Sequence, residues 1–186
     1  LVKRMVDRDY RIRLVEGRQN RGLAVRLNEG IDMAGGEFLA RMDADDEMLP
    51  DRLQTQVSFF RLNPKIQILG GAAILVDDKS HCVGKATVPE IHQDIRSMMP
   101  LRNPVIHSTI MMRREVFEDS RYSEACWRNQ DYELWSRLIG QARFHNIQES
   151  LIKYYVNNRK KTWESIGYDF FVHMLVAIRL HSVRGM

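Results

Sequence analysis

The chain has 186 residues, with 28 Lys+Arg against 24 Asp+Glu and a formal net charge of +4. That length suits a single domain with a real core, and 44% hydrophobic with 28% charged residues excludes a disordered or fibrous chain. The charge is uneven: residues 1–150 carry 22 basic and 22 acidic side chains, while Lys153, Arg159, Lys160, Lys161, Arg179 and Arg184 face only Glu164 and Asp169, so a basic body that wraps nucleic acid is excluded.

The chain opens on Leu1 inside a predicted helix, Leu1 to Asp9, as expected of a piece whose true N-terminus lies upstream. Arg11 to Val15 alternates and predicts a short strand. Asn20-Arg-Gly22 is a turn opening a helix with Leu23, Leu27 and Ile31 on one face and Gly35-Gly36 at its end. Glu37 to Met42 alternates as a strand and runs directly into the acidic cluster Asp43-Ala-Asp-Asp46. Pro50 marks a helix start, and Val57, Phe59, Phe60 and Leu62 give that helix an apolar face up to Asn63-Pro64. Ile66 to Val76 predicts one or two strands and Pro104 to Met112 another. Asn129 is placed to cap a helix through Gly140, and Phe144 to Ile147 and Leu151 to Val156 predict further short strands. Strands alternating with helices imply an α/β layer structure with a mostly parallel sheet.

Cys82 and Cys126 lack the spacing of a disulfide framework or a structural zinc site and read as idle or buried thiols. The ten methionines read as core fillers. No signal peptide is visible, and no apolar run approaches the ~20 residues that span a bilayer.

Asp43, Asp45, Asp46 and Glu47 put four carboxylates within five residues at a strand end, where open α/β sheets bind ligands. Two readings stand on spacing alone. One is a Mg²⁺ or Mn²⁺ site completed by substrate phosphates; the other is a solvated acidic loop, with Asp46 capping the next helix. A calcium EF-hand does not fit, because Met48 and Gln54 stand where Gly and Glu are needed.

Asn20-Arg-Gly-Leu-Ala24, Gly35-Gly-Glu-Phe-Leu-Ala-Arg-Met-Asp-Ala-Asp-Asp46 and Leu49-Pro-Asp-Arg-Leu53 together resemble family 2 glycosyltransferases, in which an Asp-x-Asp motif ends a strand before Pro-x-Arg-Leu. Asn103-Pro-Val-Ile-His-Ser-Thr-Ile-Met-Met-Arg-Arg114 and Asn129-Gln-Asp-Tyr-Glu-Leu-Trp135 agree in order; the latter is similar to the segment that carries that family's catalytic base. The resemblance spans roughly residues 1–157. It implies a GT-A fold, a Rossmann-like sheet with helices on both faces, here lacking its first strands. Residues 1–157 would be a partial catalytic domain, and 158–186 a basic, apolar helical tail.

The chemistry implied is metal-dependent, inverting transfer of a sugar from a nucleotide-sugar donor to a glycan or lipid-linked acceptor, as in bacterial surface polysaccharide synthesis in the cytoplasm or at the inner face of the plasma membrane. Asp131 would be the general base, Asp45 and Asp43 would hold Mn²⁺ or Mg²⁺, and Asp43, Asn20, Gly22, Arg26 and His107 would bind the donor. Two departures stand out: Gln130 replaces the Glu common before the base, and Tyr155-Val-Asn157 replaces Arg-x-His.

Competing readings exist for several of these residues. Asp131 suits first-turn helix stabilisation, His107 a packed or hydrogen-bonded role, and Arg21 and Arg26 a surface role. Arg113 and Arg114 read as a solvated pair or as an anion contact. Trp135, Tyr132 and Leu138, at helical spacing, read as core. The tail, apolar on nearly all sides from Phe170 to Ile178, is expected to bury against the catalytic domain, a second copy or a membrane surface, where Trp163 and Arg159-Lys-Lys161 would favour anionic lipid. A catalytically incomplete fragment or pseudoenzyme serving as an interaction module is the alternative function, and a nucleotidyltransferase a weaker one.

Overall fold

The computed structural model of the chain describes residues 2–156 and 163–183. The basic run Arg159-Lys-Lys161 and the 157/158 boundary lie outside the described residues, as does the side chain of Trp163. In chain order the elements are α1 (Val2–Val6), α2 (Leu23–Met33), β1 (Phe38–Ala40), β2 (Glu47–Met48), α3 (Arg52–Leu62), β3 (Ile68–Val76), β4 (Cys82–Ala86), α4 (His92–Met98), β5 (Met111–Arg113), α5 (Gln130–Leu138), β6 (Phe144–Tyr155) and α6 (Trp163–Val183).

The sheet order is β1-β5-β3-β6-β2, with β4 on the far half of the β3 edge that β5 occupies. Among the described residues only β3·β6 is parallel, so the sheet is mixed rather than mostly parallel. One of the antiparallel pairings, β3·β4, has a local cause. Asp77 Oδ1 accepts from the amides of Lys79 (2.9 Å) and His81 (2.8 Å), and Ser80 takes φ 64°, so the chain after β3 turns straight back as a hairpin.

Consecutive residues of the central strands point to opposite faces, which splits the core. Ile68, Met112 and Phe144 join Ala24, Ile95, Leu134, Trp135 and Val172 on the face covered by α2, α4, α5 and α6. Leu69, Met111 and Ile147 meet Phe60 and Val57 of α3 on the other. Tyr132, Trp135 and Leu138 are core residues, as their spacing predicts. Of the methionines read as core, Met99, Met111 and Met112 are buried, whereas Met5, Met33, Met42, Met48 and Met174 are exposed.

Three further expectations are corrected. Arg11–Val15 belongs to no strand; its Leu14 and Val15 are exposed, and no partner strand stands beside them among the described residues. Pro104–Met112 is a strand only from Met111, because Thr109 Oγ1 donates to the Ile106 carbonyl (2.7 Å) and folds 107–109 into a 3₁₀ turn. The two strands predicted over 144–156 are one, β6, with irregular register at Gly71 and Ala72 of β3. Gly71 is required there, since a Cβ would sit 2.5 Å from Leu151 Cδ1.

Phe60 is fully buried and stacks on Phe38 with ring centroids 4.8 Å apart. Phe60→Ala is expected to cost about 3–5 kcal/mol of folding stability, read as a lowered denaturation midpoint with an unchanged m-value.

Candidate active site

β1 ends against β5, and the chain leaving it carries Asp43 over the 3₁₀ turn 107–109. There Ser108 Oγ donates to Asp43 Oδ2 (2.8 Å) and accepts from the Asp43 amide (3.2 Å). Arg41 grips both carboxylate oxygens of Asp43 and also donates to Ser108 Oγ (3.1 Å). Asp43 is thus fixed by a guanidinium and a hydroxyl.

Asp45 is exposed, and carboxylate oxygens of Asp43, Asp45 and Asp46 lie within 4.8 Å of one another. Asp46 Oδ1 accepts the Tyr155 amide (3.2 Å), whereas Asp46 Oδ2 is buried without a hydrogen-bond partner. Burial pushes the Asp46 carboxyl above the usual carboxylate range, with Asp43 and Asp45 adding repulsion. A buried orphan oxygen beside two further carboxylates is a donor set that a hard divalent cation satisfies.

Asp131 is the second residue of α5. Asn103 Nδ2 donates to Asp131 Oδ2 (2.7 Å), while Asn103 Oδ1 accepts the Val105 amide (3.2 Å), so the segment leading into the 3₁₀ turn fixes both groups. Burial raises the Asp131 pKa; the Tyr132 amide and the Asn103 donor partly offset it. Asn129, expected to cap α5, stands in the left-handed region at φ 52° and makes no side-chain cap; its Nδ2 donates to Asp169 Oδ1 of α6 (2.7 Å).

Asp43, Asn103, His107, Ser108, Asp131 and Tyr154 line one cavity of about 240 Å³. His107 shares a 2.8 Å hydrogen bond between its Nε2 and the Tyr122 hydroxyl, and burial together with Arg41 holds its pKa well below the usual value. It therefore offers this cavity a neutral ring. Arg26 lies elsewhere, paired with Glu29 (2.6 Å), on a groove of about 470 Å³ between α2 and β1 that Arg41 and Tyr122 also line. Asn20 and Gly22 form the turn before α2: Asn20 Oδ1 accepts the Gly22 amide (3.1 Å), and Gly22 takes φ 87°. The structure thus gathers Asp43, His107 and Asp131, places Arg26 next door, and leaves Asn20 and Gly22 at the mouth of α2. Arg113 is not a solvated residue: its guanidinium stands over the Phe38 and Phe60 rings, donates to the Phe60 and Ile66 carbonyls and pairs with Glu37 (3.8 Å), whereas Arg114 is exposed.

Ser108, Arg41 and Tyr154 were not singled out from the sequence. Ser108 follows His107 inside a quoted motif, but its contact with Asp43 is long-range and carries no local signal.

The glycosyl transferase family 2 model matches residues 1–121, and the chain belongs to that family. The O-antigen biosynthesis glycosyltransferase WbnJ of Escherichia coli is 26% identical over 149 residues, covering 78% of this chain and 58% of WbnJ. Among solved structures, S. aureus TarS in complex with UDP-GlcNAc superposes with a TM-score of 0.66 at 19% identity, over 95% of this chain and 53% of TarS. The mannosyltransferase PcManGT of Pyrobaculum calidifontis, in complex with GDP-Man and Mn²⁺, superposes with a TM-score of 0.59 at 14% identity, over 97% of this chain and 59% of that one. The fold is therefore that of the GT-A glycosyltransferases. The chain spans about half the length of the curated relatives it matches.

Because folding raises the Asp131 pKa, its ionised form costs stability once the pH passes the unfolded carboxyl's value of about 3.9. Asp131→Asn is expected to unfold at a higher temperature than the parent at pH 7, with the gain vanishing below about pH 4 in pH-dependent thermal unfolding.

Proposed function

We propose that this chain transfers a sugar from a nucleoside-diphosphate sugar to a hydroxyl of a glycan or lipid-linked acceptor, with inversion, in surface polysaccharide assembly on the cytoplasmic side of a membrane. The observation that carries this reading is that Asp43 and Asp131, far apart in sequence, line the same cavity. Support for the substrate class comes from the family, from the printed role of WbnJ in O-antigen biosynthesis, and from the UDP-GlcNAc and GDP-Man bound to TarS and PcManGT.

Asp131 acts as general base. Its carboxylate takes the proton from the acceptor hydroxyl as that oxygen attacks the anomeric carbon; the bond to the nucleoside diphosphate breaks on the opposite face, which inverts the centre. A raised pKa makes Asp131 a stronger base than an ordinary aspartate, and Asn103 aims it. Asp43, immobilised by Arg41 and Ser108, is suited to hold the donor's ribose or the water shell of a cation. Asp45 and Asp43 would hold Mn²⁺ or Mg²⁺, with Asp46 beside them, and a bound cation would neutralise charge developing on the departing diphosphate. His107, neutral and tied to Tyr122, contributes a hydrogen bond rather than a charge. Arg26, on the groove along α2, and Asn20 and Gly22, in the turn before that helix, are assigned to donor binding.

The test is transfer by the full-length protein from a panel of nucleotide-sugars with Mn²⁺, Mg²⁺ or EDTA. Expected are activity with a divalent cation, its loss in EDTA, and a fall of about 10²–10⁴-fold in kcat for Asp131→Asn. Near-parental turnover by Asp131→Asn refutes the base assignment. Since Asp131 must be ionised to accept a proton, kcat/KM rises with pH through its pKa. Asn103→Ala removes a donor that favours the ionised form, so the acid limb of the pH profile is expected to move to higher pH.

A further inference from the structure

Asn146 lies in β6 opposite Gly70 of β3, with 0% of its surface exposed. Its Nδ2 donates to two carbonyls, those of Pro89 (2.7 Å) and Pro104 (3.2 Å). Both neighbours are acceptors, so the side chain must present its NH₂ group to them and its oxygen to the other side. Asn146 Oδ1 is buried without a hydrogen-bond partner and faces Gly70, where a Cβ would stand 2.3 Å from it. A leucine of similar size would spare the core that stranded oxygen. The two N–H donors are therefore what the asparagine supplies here.

The Pro104 carbonyl belongs to the peptide unit whose N–H is that of Val105. That N–H donates to Asn103 Oδ1 (3.2 Å), and Asn103 Nδ2 donates to Asp131 Oδ2 (2.7 Å). A peptide unit is planar, so fixing its C=O also fixes the direction of its N–H. The result is one directed chain of donors: Asn146 to the 104–105 peptide, that peptide to Asn103, and Asn103 to the carboxylate. In a low-dielectric interior such a chain polarises along its length, which strengthens the last donor. The donation to Pro89, with the Asn146 amide on the Glu90 carbonyl (2.8 Å), ties the same residue to the segment before α4. The charged and titratable groups around Asp131 are Arg41, Asp43, His107, Tyr122 and Tyr154, and among the described residues none of them is bonded to Asn146. Asn146 thus reaches Asp131 through the orientation of Asn103 and adds no charge of its own.

We infer that Asn146 is a positioning residue for Asp131: by locking the 104–105 peptide it holds Asn103 in the orientation that aims the carboxylate into the cavity. That the aimed carboxylate works as a base rests on the function proposed above; the link from Asn146 to Asp131 does not.

The test follows Asp131 directly, by NMR titration of its carboxyl carbon in the full-length protein, alongside transfer kinetics and thermal unfolding. Asn146→Ala removes both donors. Expected are a rise of about half a unit or more in the Asp131 pKa, because Asn103 no longer favours the ionised form, and a fall of about tenfold or more in kcat with the donor KM unchanged. The double variant Asn103→Ala/Asn146→Ala should move the Asp131 pKa no further than Asn103→Ala alone, since Asn146 acts through Asn103. Gln148→Ala is the control. Gln148 is exposed, and its Nε2 ties the Val88 carbonyl (3.3 Å) to β6 without reaching Pro104, so Asp131 should titrate there as in the parent. Gly70→Ala crowds Asn146 Oδ1 from β3 and is expected to reproduce the upward shift. An unchanged Asp131 pKa in folded Asn146→Ala overturns the proposal, as do additive shifts in the double variant or an equal shift in Gln148→Ala. Loss of the fold in both Asn146→Ala and Gly70→Ala also overturns it, by making Asn146 a residue of the core alone. A parent that transfers from no nucleotide-sugar sinks the base reading, while the titration still decides whether Asn146 governs Asp131.

Discussion

One buried guanidinium holds the candidate site together. Arg52, at 2% exposure, donates from Nη2 to the carbonyls of Arg41 (2.8 Å) and Ile110 (3.1 Å), the residues just past β1 and just before β5, and from Nε to Gln56 Oε1 (3.0 Å). Gln56 relays the tie to the carbonyls of Thr109 (2.8 Å) and Leu69 (3.2 Å). Two side chains one turn apart on α3 therefore satisfy four carbonyls around which the sheet, the 3₁₀ turn and the acidic loop are arranged. An Arg to Leu change there would strand those acceptors in the core, which costs more than the hydrogen bonds themselves contribute. Burial and the neighbouring Arg41 lower the Arg52 pKa to about 10, so it stays cationic at neutral pH.

That cation also explains how so many carboxylates fit in a short loop. Arg41 neutralises Asp43, Lys153 pairs with Glu47 at 2.9 Å, and Arg52 lies close enough to Asp46 to stabilise its charge. The uncompensated capacity is on exposed Asp45 and on one oxygen of Asp46. Glu47 thus serves the fold, Asp45 and one oxygen of Asp46 are left to bind, and Asp43 is held in place beside them by Arg41 and Ser108. At Asp131 the balance differs: desolvation dominates, and neutral donors from Asn103 and the backbone offset part of it.

Much of this was legible in order and type. The helices α2, α3 and α5, the strand β1 and the core role of Trp135 follow from periodicity and from the Gly and Pro residues near the helix ends, which are local signals, although the cap expected at Asn129 is not made. Motif order singles out Asp43, Asp45 and Asp131, and the fold brings Asp43 and Asp131 to one cavity. What was hidden depends on contacts between distant segments. The Asp43–Ser108 bond joins positions 65 apart in sequence, and the Asn103–Asp131 bond joins positions 28 apart. Continuity of β6 through its irregular stretch rests on the absent side chain of Gly71, which no property of residues 144–156 reveals. Arg11–Val15 illustrates the converse: an alternating pattern makes a strand only when a neighbouring strand receives its hydrogen bonds.

The parallel pairing of β3 with β6 has a kinetic consequence. β3 and β6 zip together from Ile68↔Phe144 to Val76↔Tyr155, so closing that pair means first ordering a loop that contains the hairpin, α4, the 3₁₀ turn, β5 and α5. Loop-closure entropy on this scale puts the pairing late in folding. Asn103, His107, Ser108 and Asp131 all sit inside that loop, so the cavity cannot form ahead of the sheet. Partly folded chains would carry the acidic loop without Asp131 beside it, and the complete candidate site would appear only once β3 and β6 are paired.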